Sequence, residues 1–144
     1  MPKKIKTYVL IISKNFPAHH DKAGTPTNFI PNILNKKKLH TIRNNYPLWK
    51  KRIEAVNRGE AIISLRIWNG KPYVDKQIEI LKIHNAQIQQ LNFYYDEAWI
   101  NETQPIDKVR LAINDGLTLP DLKSWFKGYP KNTLGLIHFT NFRY

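Results

Sequence analysis

Two strand-like runs joined by a short turn constrain the fold of this chain most. Residues 61–68 and 73–83 are rich in β-branched and other apolar residues, and Asn69-Gly70-Lys71-Pro72 separates them. Asn-Gly readily adopts the positive φ angles of a tight hairpin turn. We therefore predict an antiparallel β-hairpin at the centre of the chain, as part of a larger sheet.

Strand signals recur on both sides of this hairpin. They consist of short runs of β-branched and aromatic residues bounded by turn residues. Strands are predicted at residues 6–13, 39–43, 88–95, 98–100 and 134–142. Because strands outnumber helices, the pattern favours an α+β domain built on a small, partly open β-barrel with flanking helices.

Four segments show helical patterns: 29–37, 47–58, 106–114 and 118–128. Asn28 is the predicted cap of the first, and Pro47 suits the first turn of the second. Asp115-Gly116 ends the third, and Thr118 with Asp121 forms a capping box for the fourth. Residues 14–28 predict a long loop that folds over a cleft. Since no repeat or linker divides the sequence, residues 1–144 are interpreted as one domain.

The absence of cysteine excludes disulfides, thiolate metal sites and cysteine nucleophiles. The apolar run at residues 8–12 is too short for a signal peptide, and no stretch reaches the roughly 20 apolar residues needed to span a bilayer. We therefore expect a cytoplasmic protein without a membrane partner. No cofactor is predicted, and the sequence indicates no oligomeric state.

The chain is strongly basic, with 23 Lys and Arg against 11 acids and a formal net charge of +12. Such an excess concentrates polyanions near the surface and speeds their capture, which favours RNA or a nucleotide as partner. An anionic protein, a membrane surface, or a cationic surface that serves only solubility are the alternatives.

The order of several motifs resembles the ASCH superfamily, a group of PUA-like β-barrel domains. The resemblance begins at Lys38-Leu39-His40-Thr41-Ile42-Arg43 and continues through the hairpin at residues 68–73. It then includes residues 112–117, the helix with Trp125 and Phe126, and a closing strand containing residues 137–140. It covers nearly the whole chain and implies a barrel whose cleft faces RNA or a nucleotide-like ligand.

Some small bacterial members of that family remove the acetyl group from acetylcytidine, and others have ribonuclease activity. Carried over by motif, the amidohydrolase set corresponds to Lys38, Thr41 and Asp115, and Arg43 corresponds to a cleft-lining arginine. The family's carboxylate is a glutamate, whereas Asp115 is one methylene shorter. That difference matters because catalytic hydrogen bonds need heavy atoms about 2.6–3.2 Å apart.

The chemistry places a condition on the fold. A threonine hydroxyl is a poor nucleophile until a base takes its proton, and a lysine is such a base only when its pKa falls. Neighbouring Lys36 and Lys37 would shift the pKa of Lys38 in that direction, whereas a nearby Asp115 would raise it. Side chains alternate along a strand, so Lys38 reaches Thr41 only from the turn before the strand.

Each candidate also has a purely structural interpretation. Residues 36–38 suit the solvated end of a helix, Thr41 an ordinary strand position, and Asp115 a turn. At the hairpin, Arg66, Trp68, Lys71 and Tyr73 interleave cations with aromatic rings that could stack on bases, although core packing is the alternative for Trp68. Trp125 and Phe126 are predicted in the core.

These observations lead to two main hypotheses. The first is a non-catalytic RNA- or nucleotide-binding domain in which Lys38, Arg43 and the hairpin cations contact phosphate. The second is a small hydrolase of acetylcytidine or RNA that uses Thr41, Lys38 and Asp115. A protein-binding accessory role has only the charge in its favour, and a metal site at His19-His20-Asp21 lacks a third partner.

Overall fold

A computed structural model of the protein describes residues 4–144. The strands are β1 (Lys6–Ile11), β2 (His40–Asn44), β3 (Ala61–Trp68), β4 (Gln77–Ile83), β5 (Gln87–Tyr94), β6 (Glu97–Ile100), β7 (Gln104–Ile106) and β8 (Leu134–His138). The helices are α1 (Phe29–Leu34), α2 (Tyr46–Asn57), α3 (Lys108–Asn114) and α4 (Leu119–Phe126). The described part of the chain is therefore α+β, as predicted.

The strands form two sheets. In the first, of order β1-β3-β4, β1 runs parallel to β3 and β4 returns antiparallel to it. In the second, of order β2-β8-β5-β6-β7, all pairs are antiparallel. The pairing found within residues 4–144 does not close either sheet into a barrel.

The core lies around the two sheets and α2, which packs against β3, β5 and β8. Trp49, Ile53 and Val56 recur at helical spacing on α2 and are buried, as their pattern predicts. Every residue of β8 is buried, since this strand has a partner on each side. Within residues 4–144, no helix is long and apolar enough to cross a membrane.

The central hairpin is confirmed, but its tight turn was wrong. The strands β3 and β4 are joined by residues 69–76 rather than by two turn residues, and the main-chain N–H of Asn69 donates to the carbonyl of Lys76 (2.8 Å). Asp75 accepts a hydrogen bond from the backbone N–H of Lys71 within this loop. The side-chain bond stabilises a wider connection, so β4 begins four residues later than predicted.

The remaining differences from the sequence prediction concern the ends of elements and one short strand. Helix α1 stops at Leu34, three residues early, and Asn28 adopts a left-handed conformation (φ 60°) without a side-chain capping bond. The short strand β7 was missed because its three residues include Pro105 and show no alternating pattern. In contrast, Thr118 does cap α4, because its hydroxyl accepts from the N–H of Asp121 (3.2 Å).

Candidate functional site

A small cavity lies where α1, the start of β2 and the end of α3 meet. Its volume for water-sized molecules is about 50 Å³. The lining consists of the following residues: Ile12, Ser13, Phe29, Lys38, Thr41, Ile42, Arg43, Asp115, Leu117, Trp125 and Phe126. The four residues of the predicted site, Lys38, Thr41, Arg43 and Asp115, therefore lie around one cavity.

Lys38 lies in the turn between α1 and β2, which is the position from which a catalytic pair with Thr41 is possible. The N–H groups of Lys37 and Lys38 both donate to the carbonyl of Asn32 (2.7 and 2.9 Å), so this turn is tightly closed. The next N–H, of Leu39, donates to the carbonyl of Asn114 and ties the turn to the end of α3 (2.7 Å). This bond brings the lysine beside Asp115, 77 residues later in the chain.

The Lys38 side chain is 1% exposed, so the solvated-helix-end interpretation is wrong for it, although Lys36 and Lys37 are exposed. Its Nζ donates to the main-chain carbonyl of Asp115 (2.7 Å) and lies 3.2 Å from the carboxylate Oδ1. The ammonium also lies 4.2 Å from the centre of the Phe29 ring. Three groups of different kinds thus hold this cation in place.

The pKa of Lys38 is lowered from its ordinary value of 10.5. Burial is the largest cause because it disfavours the charged form, and the positive charge of Arg43 acts in the same direction. Asp115 opposes both effects through its charge and its hydrogen bond. The pKa of Lys38 thus shifts in the predicted direction, mainly through burial, but the cation that contributes is Arg43 and not Lys36 or Lys37.

Asp115 follows α3 directly and is buried. Gly116 adopts φ +81°, a left-handed conformation that favours glycine and ends the helix. A Cβ at Gly116 would lie 3.4 Å from both Lys38 Cβ and Phe29 Cδ1. The glycine thus allows the chain to turn while the lysine packs closely against it.

A buried histidine that the sequence did not predict for the site supports Asp115. His40 Nδ1 lies 2.9 Å from Asp115 Oδ1, and His40 Nε2 lies 2.6 Å from the hydroxyl of Tyr144. Burial, as the largest cause, lowers the pKa of His40, so the ring is neutral near pH 7. We infer that Nδ1–H donates to the carboxylate and Nε2 accepts from Tyr144.

The hydrogen-bond chain continues to Asn114, whose amide donates to the Tyr144 hydroxyl (3.1 Å). Burial, as the largest cause, raises the pKa of Tyr144 to about 12, so this hydroxyl keeps its proton and can donate to His40. Asn114, Tyr144 and His40 thus form a continuous path to Asp115. The only signal in the sequence was the place of His40 between Lys38 and Thr41, which by itself indicates an ordinary strand residue.

Thr41 lies on β2, opposite Ile137 of β8. It is buried and lines the cavity, and no hydrogen bond to its hydroxyl is found among residues 4–144. Lys38 and Thr41 therefore share the cavity without bonding directly to each other. A threonine hydroxyl in this position is available to a ligand.

Arg43 follows two residues later on the same face of β2. One terminal nitrogen donates to the carbonyl of Ile11 (2.6 Å), whereas the buried Nε has no hydrogen-bond partner within residues 4–144. Burial lowers the pKa of Arg43 to about 10, so the guanidinium remains charged at neutral pH. An unpaired buried donor costs about 1–3 kcal/mol, and a ligand oxygen or a water would remove that penalty.

The cavity adjoins a much wider groove of about 760 Å³. Ser13 and Arg43 line both spaces. The loop of residues 14–28 and the tip of the β3–β4 hairpin form the sides of this groove, which are lined by Ile11, Lys14, Asn15, Phe16, Pro17, Ala18, Ala23, Gly24, Trp68, Gly70, Pro72 and Tyr73. The groove is within the usual size range of small-molecule sites, about 300–1,000 Å³.

Two of the four hairpin residues predicted to bind nucleic acid line the groove, and two do not. Trp68 and Tyr73 line the groove, with ring centres 5.2 Å apart, and Tyr73 is 89% exposed. Arg66 and Lys71 are not among the lining residues. The Arg66 guanidinium instead donates to Ser64 (2.8 Å) and Gln77 (3.1 Å) along the sheet.

The aromatic residues of α4 pack against the core, as predicted, but they also face the cavity. Trp125 and Phe126 are only partly buried, and both line the cavity. Trp125 also contacts Phe29 (ring centres 5.6 Å apart) and Phe16 of the 14–28 loop (5.8 Å apart). These side chains therefore form the apolar side of the cavity.

The two histidines of the long loop attach it to α4. His19 Nε2 bonds to the carbonyl of Trp125 (2.8 Å) and His20 Nε2 to that of Asp121 (2.9 Å), while Lys22 pairs with the Asp121 carboxylate (2.9 Å). Residues 4–144 contain no group of three or more His, Cys, Asp or Glu residues that would hold a metal ion.

Comparison of the chain with protein-family models, with curated proteins and with solved structures finds no match. The interpretation of the site therefore depends on its own geometry.

Proposed function

We propose that this protein is a PUA-like domain of the ASCH type that binds RNA or a nucleotide, with the base and sugar in the groove and a small polar group in the cavity. The observation that carries the proposal is that the groove and the cavity meet at Arg43. The groove has the volume for a nucleoside, whereas the cavity has room for only a few water-sized groups, so the two together suit a nucleotide with a small polar group at its end.

Charge and chemistry support this ligand. The cavity has a net positive charge, because its lining contains two cations, Lys38 and Arg43, and one carboxylate, Asp115. Lys14 adds a cation at the groove. The unpaired Nε of Arg43 suits a carbonyl or phosphate oxygen. Trp68 and Tyr73 offer ring faces to a base, and such stacking contributes about 1–3 kcal/mol.

Binding of cytidine monophosphate and of a short single-stranded RNA, followed by calorimetry, tests this proposal. Tyr73→Ala should weaken both roughly 5- to 160-fold, because the loss of one stacked ring removes about 1–3 kcal/mol. Tyr95→Ala is the matched control, since Tyr95 is fully exposed and does not line the groove. Absence of binding by the unaltered protein at low salt, or equal losses in the two variants, would refute the proposal.

A second candidate function is hydrolysis of an N-acylated nucleoside, which the geometry around Lys38 favours. In this reaction the neutral form of Lys38, which the lowered pKa makes easier to reach, takes the proton of the Thr41 hydroxyl, and the oxygen attacks the acyl carbon. The C–N bond then breaks, the leaving nitrogen receives a proton, and water hydrolyses the acyl-threonine ester to a carboxylic acid. The lowered pKa of Lys38 and the unbonded Thr41 hydroxyl in the same cavity support this chemistry, which also requires the two side chains to come within hydrogen-bonding distance.

Release of cytidine from acetylcytidine, followed by chromatography, tests the second candidate. Thr41→Val keeps the shape of the side chain and should reduce the rate at least about 1,000-fold, because it removes the nucleophile. Thr7→Val, at an exposed position on β1, is the control. Retention of activity in Thr41→Val and in Lys38→Met would exclude this mechanism, and absence of any release by the unaltered protein would leave binding as the function.

A further inference from the structure

A second cationic surface lies between α2 and β1. It is a cleft of about 660 Å³, which we call the α2–β1 cleft. Its lining consists of Lys4, Ile5, Lys6, Tyr8, Leu48, Lys51, Arg52, Ala55, Arg58, Gly59 and Glu60. It shares no lining residue with the cavity or the groove.

The two elements each present one face to this cleft. On α2 the lining residues are Leu48, Lys51, Arg52 and Ala55, a spacing of three and four that places them on one side of the helix. The neighbouring side of α2 carries the buried residues Trp49, Ile53 and Val56, and Ala55 is buried between the two sides. On β1, Lys6 and Tyr8 alternate and so share one face of an edge strand.

Among residues 4–144, most of the cations in this cleft have no acidic partner. Of its five Lys and Arg residues, only Arg58 forms an ion pair within the described chain, with Glu60 (3.1 Å), which is the single acid in the lining. Glu54 is the single carboxylate of α2, and it does not line the cleft. Like charges this close repel one another, and an anion that lies between them removes that repulsion.

Arg52 is held in place without an acid. Its guanidinium lies 5.1 Å from the ring centre of Tyr8 and 4.8 Å from that of Trp49, so two rings from different elements orient it. A preorganised guanidinium forms paired hydrogen bonds with a phosphate at lower entropic cost than a mobile lysine. Lys4, Lys6 and Lys51 are exposed along the same cleft.

From this arrangement we infer that the α2–β1 cleft binds the phosphodiester backbone of an RNA strand, separately from the ligand in the cavity and groove. The inference rests on the proposed function for the choice of RNA as the polyanion. A row of several cations suits a chain of phosphates better than a single nucleotide. The ligand of this protein would then be a polynucleotide, held at two places.

The test compares two double variants that remove the same charge. Lys6→Gln/Lys51→Gln removes cations from the cleft, whereas Lys50→Gln/Lys82→Gln removes exposed cations outside its lining. Binding of a fluorescein-labelled oligouridylate of about twelve nucleotides is measured by anisotropy over a range of salt concentrations. Cytidine monophosphate binding is measured in parallel.

We expect the cleft variant to bind the oligonucleotide on the order of tenfold more weakly at low salt. The slope of log affinity against log salt should decrease by about 1.4 in the cleft variant, or about 0.7 for each lost phosphate contact. The slope of the control variant should change little. The cleft variant should bind cytidine monophosphate as tightly as the unaltered protein does, which separates this result from a failure of the proposed function. Equal weakening in both variants, or tighter binding to vesicles of phosphatidylserine than to the oligonucleotide, would overturn the inference.

Discussion

At the scale of single residues, the central feature is a buried lysine held by a buried carboxylate. Burial of an ion pair is expensive, and removal of one partner leaves an uncompensated charge in a region of low dielectric. Here the carboxylate also accepts from His40, so Asp115 holds two groups at once. A buried pair of this kind is weak evidence for stability alone, and it lines the cavity that we assign to the ligand.

Asp115→Asn should therefore destabilise the protein by about 3–5 kcal/mol at neutral pH, because Lys38 loses its counter-charge. Urea unfolding followed by tryptophan fluorescence measures this change. Asp96→Asn is the control: Asp96 is exposed and lies 3.7 Å from Lys108, and such a surface pair contributes less than about 1 kcal/mol. A similar small loss in both variants would show that Lys38 does not depend on Asp115.

At the scale of elements, the site depends on how α3 ends. The helix stops at a left-handed glycine, and that glycine contacts the Cβ of Lys38 from the α1–β2 turn. Two segments far apart in sequence thus lie in close contact at this glycine. The bond from the N–H of Leu39 to the carbonyl of Asn114 holds them together.

Gly116→Ala tests this close approach. A non-glycine residue in the left-handed conformation costs about 1–2 kcal/mol, and here the added Cβ would lie at ordinary contact distance, 3.4 Å, from atoms of both Lys38 and Phe29. Gly59→Ala is a matched control, since Gly59 has φ +78° and a Cβ there would meet no atom of residues 4–144 within 4 Å. Both variants should lose similar stability from backbone strain, measured by urea unfolding.

Only Gly116→Ala should then lose affinity for cytidine monophosphate or hydrolysis, because a backbone that shifts to relieve strain at Gly116 also moves Asp115, which holds Lys38, whereas Gly59 lines neither the cavity nor the groove. Equal ligand binding by the two variants would show that the position of Lys38 tolerates this contact.

At the scale of the whole molecule, two buried histidines on neighbouring strands make the free energy of unfolding depend on pH. His40 and His138 are paired across β2 and β8, with ring centres 5.5 Å apart. Burial is the largest cause that lowers the pKa of His138 to about 3 from its usual 6.5, and the charge of His40 acts in the same direction. The folded protein thus keeps these rings neutral at a pH where the unfolded chain protonates them.

The free energy of unfolding should fall as the pH is lowered from about 6.5 toward 3 and stay level with respect to these groups above that range. The sign follows because the unfolded state binds more protons in this window. One such histidine changes the free energy of unfolding by at most about 1.4 kcal/mol for each pH unit. His138→Gln should reduce the slope, whereas His84→Gln, at an exposed position, should not. A slope unchanged in His138→Gln would contradict the assignment.

The sequence by itself determined the elements that local chemistry controls. The spacing of Trp49, Ile53 and Val56 predicted α2, the apolar runs predicted the central hairpin, and Gly116 predicted the end of α3. It also supplied the four side chains that line the cavity, through their motif order. Backbone propensity and hydrophobic period act over a few residues, so a linear pattern is sufficient for such features.

The tertiary structure alone decided which charges are buried and what they contact. Lys36, Lys37 and Lys38 are identical in sequence terms, yet only Lys38 is enclosed, because Gly116 and Phe29 pack against it. The link from His40 to Tyr144 joins residues 104 positions apart. Burial and pairing over such distances follow from packing between elements, which no local pattern encodes.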